Sequence, residues 1–396
     1  MEIDVIKNAI AVHGTPSYIF DLDILKERVV QIKDALGEKA CVCYAMKANP
    51  FVIGPMNSYI DKYEVCSPGE YEICHRQGIA PEKIVVSGVN KTYESMDRIM
   101  KLSGGKGVFT MESSMHYDIL DKVCKEQGTQ IKVLVRLTSG NQFGVDKQEF
   151  ERLVKLIADN DNMELQGLHF YSGTQKKLKK VEKELAMLAE YRTYIKETYG
   201  IELKELEYGP GLLVNYFESD KDVDAAEQLT ELNNLLDVVA EYEDITLEMG
   251  RFIATECGYY LTSVVDIKNN EDHNYCIVDG GIHQLNYYGQ IMGMKKPFMD
   301  IISLENPSEE LVKWNMCGSL CTVNDVILKD IELHKLYVGD CIVFKKCGAY
   351  SVTEGMAMFL SRELPQILFY SKDDGLKSVR KRIGTDVFNT SQEEER

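Results

Sequence analysis

Strand-like and helical stretches alternate strictly through residues 40–249 of the sequence. Eight short apolar runs with strand character occupy residues 40–46, 62–66, 84–88, 107–111, 131–137, 165–171, 204–208 and 245–249. Amphipathic stretches with helical spacing lie between them, for example at 93–102, 115–126, 148–157, 180–197 and 224–241. Strands that alternate with helices pair in parallel. Eight such units predict an α/β fold, a closed (β/α)8 TIM barrel, whose chemistry lies at the carboxyl ends of its strands.

An open, doubly wound sheet is the alternative arrangement for this alternation. It favours a glycine-rich loop directly after the first strand. Here the first apolar run, CVCYAM, leads straight into Lys47 instead. Lysine is rarely fully buried without a partner, so a core strand that ends on an ammonium group needs an explanation. A helix at 24–36, with Asp23 as its predicted N-cap, precedes this strand.

The predicted secondary structure changes after residue 251. Runs such as YYLTSVVDIK, YCIVDGG, DCIVFKK and QILFYS indicate short strands with little helical pattern between them. They predict a C-terminal β-domain over 252–396. Residues 1–22 contain another strand-like piece, PSYIFD, and we expect this N-terminal segment to join the β-domain, which leaves 23–251 for the barrel.

Charge and cysteine content narrow the functional class. The net charge is −18, without a block rich in lysine and arginine, which argues against nucleic acid as a partner. The first residues lack the pattern of a signal peptide, and no apolar run is long enough for a membrane span. We expect a cytoplasmic protein whose eleven cysteines are free thiols. The CVC at 41–43 lacks zinc-site spacing, so no metal is expected.

Chemically useful side chains collect at the predicted strand ends. In a closed barrel all of these positions face one mouth. The set comprises Lys47, Glu64, Ser67, Arg136, His169, Tyr171, Ser172, Gly173, Thr174, Gly209, Pro210, Gly211, Glu248, Gly250 and Arg251. A lone lysine there is usually a solvated strand end, a lone GPG a turn and a lone histidine a core residue. Their joint placement on one mouth is what favours a catalytic site.

The combination points to pyridoxal 5′-phosphate (PLP). Glycines let backbone N–H groups approach an anion, and barrels commonly bind phosphate after their last strands, where the GPG turn lies. Arg251 can add a forked contact to the same anion. Lys47 beside such a cradle suggests condensation with a phosphorylated aldehyde. Glu248 is the candidate to keep the pyridine nitrogen protonated, which makes the ring an electron sink.

Several spaced motifs resemble the PLP-dependent decarboxylases of the alanine-racemase-like barrel fold, the diaminopimelate and ornithine decarboxylase family. The matching stretches, in order, are TPSYIFDLD (15–23), YAMKANP (44–50), SPGEYEICHRQGIAPEKIVVSG (67–88), LHFYSGTQ (168–175), EYGPGLLVNYF (207–217), EMGR (248–251), CGSLCTVNDVI (317–327) and CGAYSVTEGMAMFLSRELP (347–365). The resemblance covers nearly the whole chain. It implies a decarboxylase that releases CO₂ and an amine.

The resemblance also implies roles for individual residues. Lys47 would carry PLP and Glu248 would face the pyridine nitrogen, while Cys321 would protonate the substrate carbon after CO₂ leaves. The phosphate would be held by Thr174, Gly209, Gly211, Arg251 and Tyr350. The remaining predicted cofactor-site residues are Glu64, Arg136, His169, Tyr171 and Gly250. In this family the cysteine and the tyrosine come from a second subunit, which implies a homodimer with shared active sites.

Three departures from the named members matter, two at the substrate tail and one at the cofactor ring. Thr322 stands where diaminopimelate decarboxylases carry Glu and ornithine decarboxylases carry Asp. No arginine follows the Asp-x-Gly turn in VDGGIHQLNYYGQ (278–290), where Tyr287 or Tyr288 stands instead. Tyr171 replaces the histidine that stacks on the cofactor ring, and an aromatic ring can still cover it. The predicted contacts of the substrate tail are Thr322, Tyr287 and Tyr350. None of them can pair with a second ammonium or a second carboxylate group on the substrate.

These departures lead to a specific expectation about the substrate. Desolvating unpaired charges is costly, so we expect an atypical small amino acid, or an aminoacyl group tethered to a carrier protein, as in secondary metabolism. The alternative is a diaminopimelate decarboxylase that makes lysine. An amino-acid racemase is a further possibility, as is a non-enzymatic PLP-fold protein that binds a partner. The Cys321 motif and the Gly-Ala-Tyr segment favour a decarboxylase over a racemase.

Overall fold

Eight parallel strands close into a barrel in the structure, a computed structural model that describes residues 1–287, 293–303 and 308–391. The strands of the described residues are β1 Ser17–Asp21, β2 Cys41–Ala45, β3 Lys62–Val65, β4 Ile84–Val86, β5 Val108–Met111, β6 Ile131–Arg136, β7 Met163–Tyr171, β8 Glu205–Gly209, β9 Asp244–Met249, β10 Gly258–Asn270, β11 His273–Val278, β12 Met299–Ile302, β13 Leu311–Cys317, β14 Val326–His334, β15 Cys341–Lys345, β16 Gln366–Ser371 and β17 Gly375–Arg380.

Most of the α-helices lie between the barrel strands. In the described parts of the chain they are α1 Ile3–His13, α2 Leu22–Leu36, α3 Ile53–Met56, α4 Pro68–Arg76, α5 Tyr93–Ser103, α6 Ser114–Gln127, α7 Lys147–Ala158, α8 Leu178–Tyr199, α9 Ala225–Leu235, α10 Arg251–Ala254 and α11 Asp386–Asn389. Short 3₁₀ turns supplement them, including Met46–Ala48 directly after β2.

The chain divides into two compact units. The barrel unit comprises Lys26–Val214 and Val223–Ile253, and the sheet unit comprises Met1–Leu25, Asn215–Asp222 and Ala254–Arg396. The domain boundaries expected from the sequence, after residues 22 and 251, stay a prediction. The predicted fold class is confirmed, because an eight-stranded parallel barrel is accompanied by a separate mixed sheet.

The barrel strands follow one another in chain order from β2 to β9, and β9 pairs in turn with β2. All eight predicted strands are present, because each contains β-branched or aromatic residues and is largely buried. The helices between them begin at polar caps: Asp146 accepts the backbone N–H of Glu149 at the start of α7. Helix α7 then packs Phe150, Leu153 and Ile157 inward at helical spacing.

Two local expectations were wrong or incomplete. Asp23 is not the N-cap of α2, since the helix begins at Leu22 and the carboxylate of Asp21 accepts the backbone N–H groups of Asp23 and Ile24, both at 3.1 Å. Strand β1 therefore runs directly into the helix, and its last residue supplies the cap. Helix α1 was not predicted at all, because only Ile6 and Ala9 on its inner face are fully buried.

The sheet unit is built on a nine-stranded mixed sheet. Its main path runs β14–β13–β11–β10–β1–β16–β17, and β15 pairs with both β10 and β12. Strand β1, which contains SYIF, pairs antiparallel with β10 and parallel with β16. Ile19, Leu261, Val343 and Leu368 form the core on one face of this sheet, together with Ile6 of α1.

Gly167 generates a prediction about barrel stability. The β6–β7 register shifts beside it, and a Cβ at this position would lie 1.9 Å from the backbone oxygen of Glu205 on β8. Backbone cannot yield to such an overlap as a flexible side chain would. We expect Gly167→Ala to lower the free energy of unfolding by at least ~2 kcal/mol, measured by urea denaturation followed by circular dichroism.

Gly69→Ala is the matched control. Gly69 lies inside α4, and a Cβ there would meet nothing nearer than the Ser67 hydroxyl at 3.8 Å. The same substitution in a helix with free space stabilises by roughly 0.5–1 kcal/mol. Equal unfolding midpoints for the two variants would contradict the close contact of β7 with β8.

Candidate active site

Lys47 lies at the mouth of the barrel between two acidic side chains. Its Nζ donates to Oε2 of Glu64 at 2.7 Å and to Oε1 of Glu248 at 3.3 Å, and it lies 3.6 Å from Sγ of Cys66. Glu64 is on β3 and Glu248 is on β9, the two strands that flank β2. The carboxylates are 2% and 4% exposed, whereas the lysine side chain is 35% exposed. The ammonium group is therefore paired and still accessible to a ligand.

The two carboxyl groups differ in their charge. Burial and the nearby charge of Glu248 raise the pKa of Glu64 to about 7, although Lys47 opposes this. Burial acts to raise the pKa of Glu248 as well, but the ammonium of Lys47 and the hydrogen bond with His169 outweigh it and leave this pKa well below its usual range. Glu248 is therefore ionised at neutral pH, while Glu64 carries a proton for part of the time.

His169 and Glu207 lie behind Glu248 in the barrel interior. Nε2 of His169 is 3.3 Å from Oε2 of Glu248, and burial lowers the pKa of His169, so the ring is neutral. Glu207 on β8 is fully buried, and burial raises its pKa well above the usual range. The charged state of Glu248 is thus supported from one side by Lys47 and from the other by a neutral imidazole.

Glu207 was missed by the sequence reasoning. The alternation of Glu205 and Glu207 in ELEYG places both on the inward face of β8, and this period of two could have revealed them. Ligand atoms of His169, Glu207 and Glu248 lie within 4.8 Å of one another, a spacing that suits a metal ion. Glu207 is a protonated acid here, which is a poor ligand. The expected absence of a metal stays a prediction.

The GPG turn follows β8 and lies against the loop after β7. Gly211 has a φ of +56°, and a Cβ there would lie 2.4 Å from the backbone oxygen of Gly173 and 3.1 Å from Cα of Thr174. A Cβ at Gly209 would lie 2.3 Å from the ring of Tyr171. Both glycines are therefore required by close approach, and they bring Tyr171 and Thr174 to the turn as the sequence predicted.

Backbone N–H groups of this turn are available to an anion. Across the described residues, no acceptor lies within hydrogen-bonding reach of the N–H groups of Gly211 and Leu212. The following residues are fixed, because the amides of Gln228 and Gln175 hydrogen-bond the backbone of Leu213 and Val214. A rigid turn with two open donors is the arrangement that binds phosphate.

Tyr171, Gly250 and Arg251 complete this side of the mouth. Burial and the charge of Glu248 raise the pKa of the Tyr171 hydroxyl, while Lys47 and Arg251 act in the opposite direction, so all of these groups are within electrostatic range of one ring. A Cβ at Gly250 would lie 3.0 Å from Cβ of Ala48, which shows how closely the end of β9 approaches the turn that carries Lys47.

Arg136 at the end of β6 is buried in an ion pair. Its Nη1 is 3.3 Å from Oε1 of Glu112, and its guanidinium lies 4.9 Å from the ring centre of Phe143. Lys91, which sequence reasoning did not select, is also buried near this pair, and its Nζ donates to the Gly88 carbonyl at 2.7 Å. Burial lowers the pKa of Lys91 to about 8 despite the opposing charge of Glu112. A cofactor contact of Arg136 stays a prediction.

The remaining predicted site residues belong to the sheet unit. Cys321 is exposed on a turn that Asp325 organises, since the carboxylate of Asp325 accepts the N–H groups of Ile282 and Leu320 at 2.9 and 2.8 Å. Thr322 lies on the same turn and is half-buried. Tyr350 has a φ of +68°, and its carbonyl accepts the N–H groups of Thr353 and Glu354.

Tyr287 does not lie where a substrate contact was expected. Its side chain is 1% exposed, and its hydroxyl donates to the Lys345 carbonyl at 2.8 Å. The ring packs against Tyr216 and Phe217, each with centroids 5.5 Å away. This burial disfavours Tyr287 as a contact to the substrate tail. Tyr288, its alternative, lies outside the described residues.

A lysine held between buried carboxylates, beside a glycine turn at the mouth of an eight-stranded barrel, defines a PLP enzyme of the barrel type. The family model described as "Pyridoxal-dependent decarboxylase, pyridoxal binding domain" matches residues 22–255, and the chain belongs to this family. Its cofactor is PLP, and the protein is a PLP-dependent carboxy-lyase that acts on an amino-acid substrate. None of the helices in the described ranges combines the length and apolar character that a membrane crossing needs.

Relatives of the chain include enzymes with different substrates. The diaminopimelate decarboxylase of Aquifex aeolicus is 25% identical, over 94% of this chain and 90% of that protein. The 2-[(L-alanin-3-ylcarbamoyl)methyl]-2-hydroxybutanedioate decarboxylase of Staphylococcus aureus is 27% identical, over 91% and 95%. The L-glutamyl-[BtrI acyl-carrier protein] decarboxylase of Niallia circulans is 25% identical, over 94% and 92%.

The solved structures agree with this assignment. A variant of the diaminopimelate decarboxylase of Helicobacter pylori, in complex with L-lysine, superposes with a TM-score of 0.83 and 25% identity. The match covers 96% of this chain and 98% of that one. The residues of the barrel unit also suit PLP in their own chemistry, because they offer a reachable amine, an ionised carboxylate and a turn with two open N–H groups.

The raised pKa of Glu64 predicts how the stability of the cofactor-free protein depends on pH. The folded state holds this proton up to about pH 7, whereas an unfolded glutamate loses it near pH 4.3. The free energy of unfolding should therefore fall as the pH rises from about 4.5 to about 7, by up to ~1.4 kcal/mol per pH unit. We expect Glu64→Gln to make this slope less steep in urea denaturation series, while the buried Glu207, whose pKa is also raised, still contributes in the same direction.

Glu38→Gln provides the control for the charge change, since Glu38 is exposed. It should leave the pH dependence of the unfolding free energy unchanged. A slope as steep in Glu64→Gln as in the wild type would show that Glu64 is ionised in the folded protein at pH 6 and that another group holds the proton.

Proposed function

We propose that this chain removes CO₂ from the α-carbon of an amino acid whose distal end lacks the paired charges of diaminopimelate. The observation that carries the proposal is the position of Lys47 between Glu64 and Glu248 at the barrel mouth, next to the GPG turn. The departures at the predicted tail positions determine the kind of substrate. The tail is neutral, or it is attached to a carrier protein.

The residues of the barrel unit take distinct roles in this proposal. Bound PLP supplies an electron sink for the pair left when the bond to CO₂ breaks. Lys47 holds the cofactor, and the ionised Glu248 accepts a hydrogen bond from the pyridine nitrogen. Tyr171 covers the ring in place of a histidine. The N–H groups of Gly211 and Leu212, with Thr174 and Arg251, bind the phosphate.

Other residues support these groups. Neutral His169 holds Glu248 in its charged state through Nε2. Glu64 lies 2.7 Å from Nζ of Lys47, and its pKa of about 7 lets it take up or return a proton at that nitrogen. Gly250 permits the close approach of β9 to the Lys47 turn. Arg136 stays a proposed cofactor contact whose visible partner is Glu112.

The proton for the substrate carbon comes from Cys321 in this proposal, and Tyr350 adds a phosphate contact. Both residues belong to the second subunit of a homodimer, as the family resemblance implies. The exposure of Cys321 supports this, because the same turn also contains Val323, which is 93% exposed and so is open to a second chain. The sites are then shared between two copies.

The nature of the substrate tail rests on Thr322. A hydroxyl cannot neutralise a distal ammonium, and residues 278–290 contain no arginine for a distal carboxylate. Burying unpaired charges costs several kcal/mol, so a neutral or tethered tail is favoured. The name of the relative from Niallia circulans describes a carrier-tethered substrate for that protein, whereas the name of the relative from Staphylococcus aureus describes a tail with two carboxylates. Diaminopimelate remains the second candidate, because the relative from Aquifex aeolicus is named for it.

Mixing two inactive variants tests the shared site. Lys47→Ala and Cys321→Ala should each be nearly inactive, but equal amounts mixed with exchange of subunits should regain about a quarter of the wild-type activity. Half of the dimers are then mixed, and each has one intact site. Amine formation is the measurement.

Lys47→Ala mixed with Glu248→Gln is the control, because both residues lie on the barrel unit and no mixed dimer regains an intact site. Recovery in neither mixture would mean that Lys47 and Cys321 act within one chain, and an active Cys321→Ala variant would mean that Cys321 has no part in the reaction.

A CO₂-release screen over free and carrier-bound amino acids tests the substrate. We expect little turnover of meso-diaminopimelate by the wild type and loss of all activity in Lys47→Ala. Thr322→Glu should raise kcat/KM for meso-diaminopimelate roughly tenfold relative to the preferred substrate, since it supplies a partner for the distal ammonium.

Thr322→Gln has the same length without the charge and should not produce this shift. Turnover of meso-diaminopimelate by the wild type at roughly ten per second or more, as is typical of enzymes on their own substrates, would establish the second candidate instead.

A further inference from the structure

Lys176 contacts the GPG turn through both its backbone and its side chain. Its backbone N–H donates to the carbonyl of Gly211 at 2.8 Å, and its Nζ donates to the carbonyl of Gly209 at 2.8 Å. The residue is 4% exposed, so these hydrogen bonds are shielded from water. Lys176 thus forms hydrogen bonds with both the first and the last glycine of the turn.

The ammonium group of Lys176 is anchored from behind. Nζ lies 2.7 Å from Oε2 of Glu184 on α8 and 3.2 Å from the hydroxyl of Tyr208. Burial lowers the pKa of Lys176 in spite of Glu184. Burial acts to raise the pKa of Glu184, but hydrogen bonds from Lys176, Ser172 and Tyr208 outweigh it and lower that pKa. The pair is a fixed ion pair inside the barrel unit.

Such an ion pair adds little to stability by itself. Taking two charges out of water costs about as much as their attraction returns, and apolar residues of similar size often replace buried pairs without loss. The geometry of this pair points to another use. The contacts of Nζ with Glu184, Tyr208 and, at 3.4 Å, the Ser172 hydroxyl fix its position, and its contact with Gly209 transmits that position to the turn.

Peptide geometry determines how these hydrogen bonds orient the turn. The C=O and N–H groups of one trans peptide point in opposite directions. With the Gly211 carbonyl directed at Lys176, the N–H of Leu212 must point away from it. The Gly209 carbonyl is held by Nζ, and its peptide carries no N–H because Pro210 follows; the Pro210 ring restricts the backbone that leads to the N–H of Gly211. The side chain of Lys176 thus fixes the start of the turn, and its backbone N–H fixes the direction of the Leu212 N–H.

We propose that Lys176 is a positioning residue for phosphate binding, and that it acts by orienting the GPG turn without touching the ligand. The inference rests on the proposed role of this turn in holding the phosphate of PLP. Without Nζ, the Gly209 carbonyl loses its buried donor and the turn gains alternative orientations. The binding of the phosphate group then weakens, while contacts to the pyridine ring are unaffected.

The test compares two ligands that differ only in the phosphate. Dissociation constants of PLP and of pyridoxal are measured with the full chain, freed of cofactor, by visible absorbance. Lys176→Met should lower the preference for PLP over pyridoxal roughly tenfold, because a hydrogen bond from a charged donor is lost. Lys180→Met is the matched control, since Lys180 lies 3.7 Å from the same Glu184 carboxylate but is exposed.

A second variant separates positioning from simple loss of folding. Lys176→Met leaves Glu184 charged and without its partner, whereas the double variant Lys176→Met/Glu184→Gln removes both charges. Its thermal stability should recover, but its weakened preference for PLP should persist. An unchanged preference in the double variant, or equal weakening of PLP and pyridoxal, would overturn the role of Lys176. A wild-type protein that shows no preference for PLP would instead refute the phosphate site of the GPG turn, and the inference with it.

Discussion

The paired contacts of Lys47 with Glu64 and Glu248 depend on closure of the barrel. Strand β2 has β3 on one side and β9, the last barrel strand, on the other. In an open sheet the first and last strands would lie at opposite edges, and residues 47 and 248 could not meet. Closure also brings β8, which ends in the GPG turn, to within two strands of β2, since β9 lies between them. The chemistry of the site is therefore a property of the topology as much as of the residues.

The sequence allowed the barrel and most of its mouth to be predicted. Alternating apolar runs and amphipathic helices are local patterns, and a closed barrel brings all strand ends to one face. Contacts that depend on packing could not be predicted from the sequence. They follow from tertiary neighbours, and they include the cap at Asp21, the buried acid Glu207 and the hydrogen bonds of Lys176 to the turn. The predicted substrate contact of Tyr287 is disfavoured for the same reason. Its position along the chain did not reveal that its ring is buried in the core of the sheet unit.

The residues proposed to act in the reaction are divided between the two units. Lys47, Glu248 and the GPG turn lie in the barrel unit, whereas Thr322, Cys321 and Tyr350 lie in the sheet unit. Relatives that share 25–27% identity over nearly the full length have names with quite different substrates. A shared reaction with a variable tail site, as proposed for Thr322, agrees with these names.

The position of Cys66 has a consequence for chemical selectivity. A thiol 3.6 Å from the amine of Lys47 is a second nucleophile within reach of any aldehyde that enters the site. Burial, together with the charge of Glu64, raises the pKa of Cys66 far above its usual value. Since only the thiolate attacks efficiently, the protonated sulfur stays unreactive while the neighbouring nitrogen reacts. The acidic side chains that hold Lys47 in place thereby also prevent Cys66 from reacting with the aldehyde.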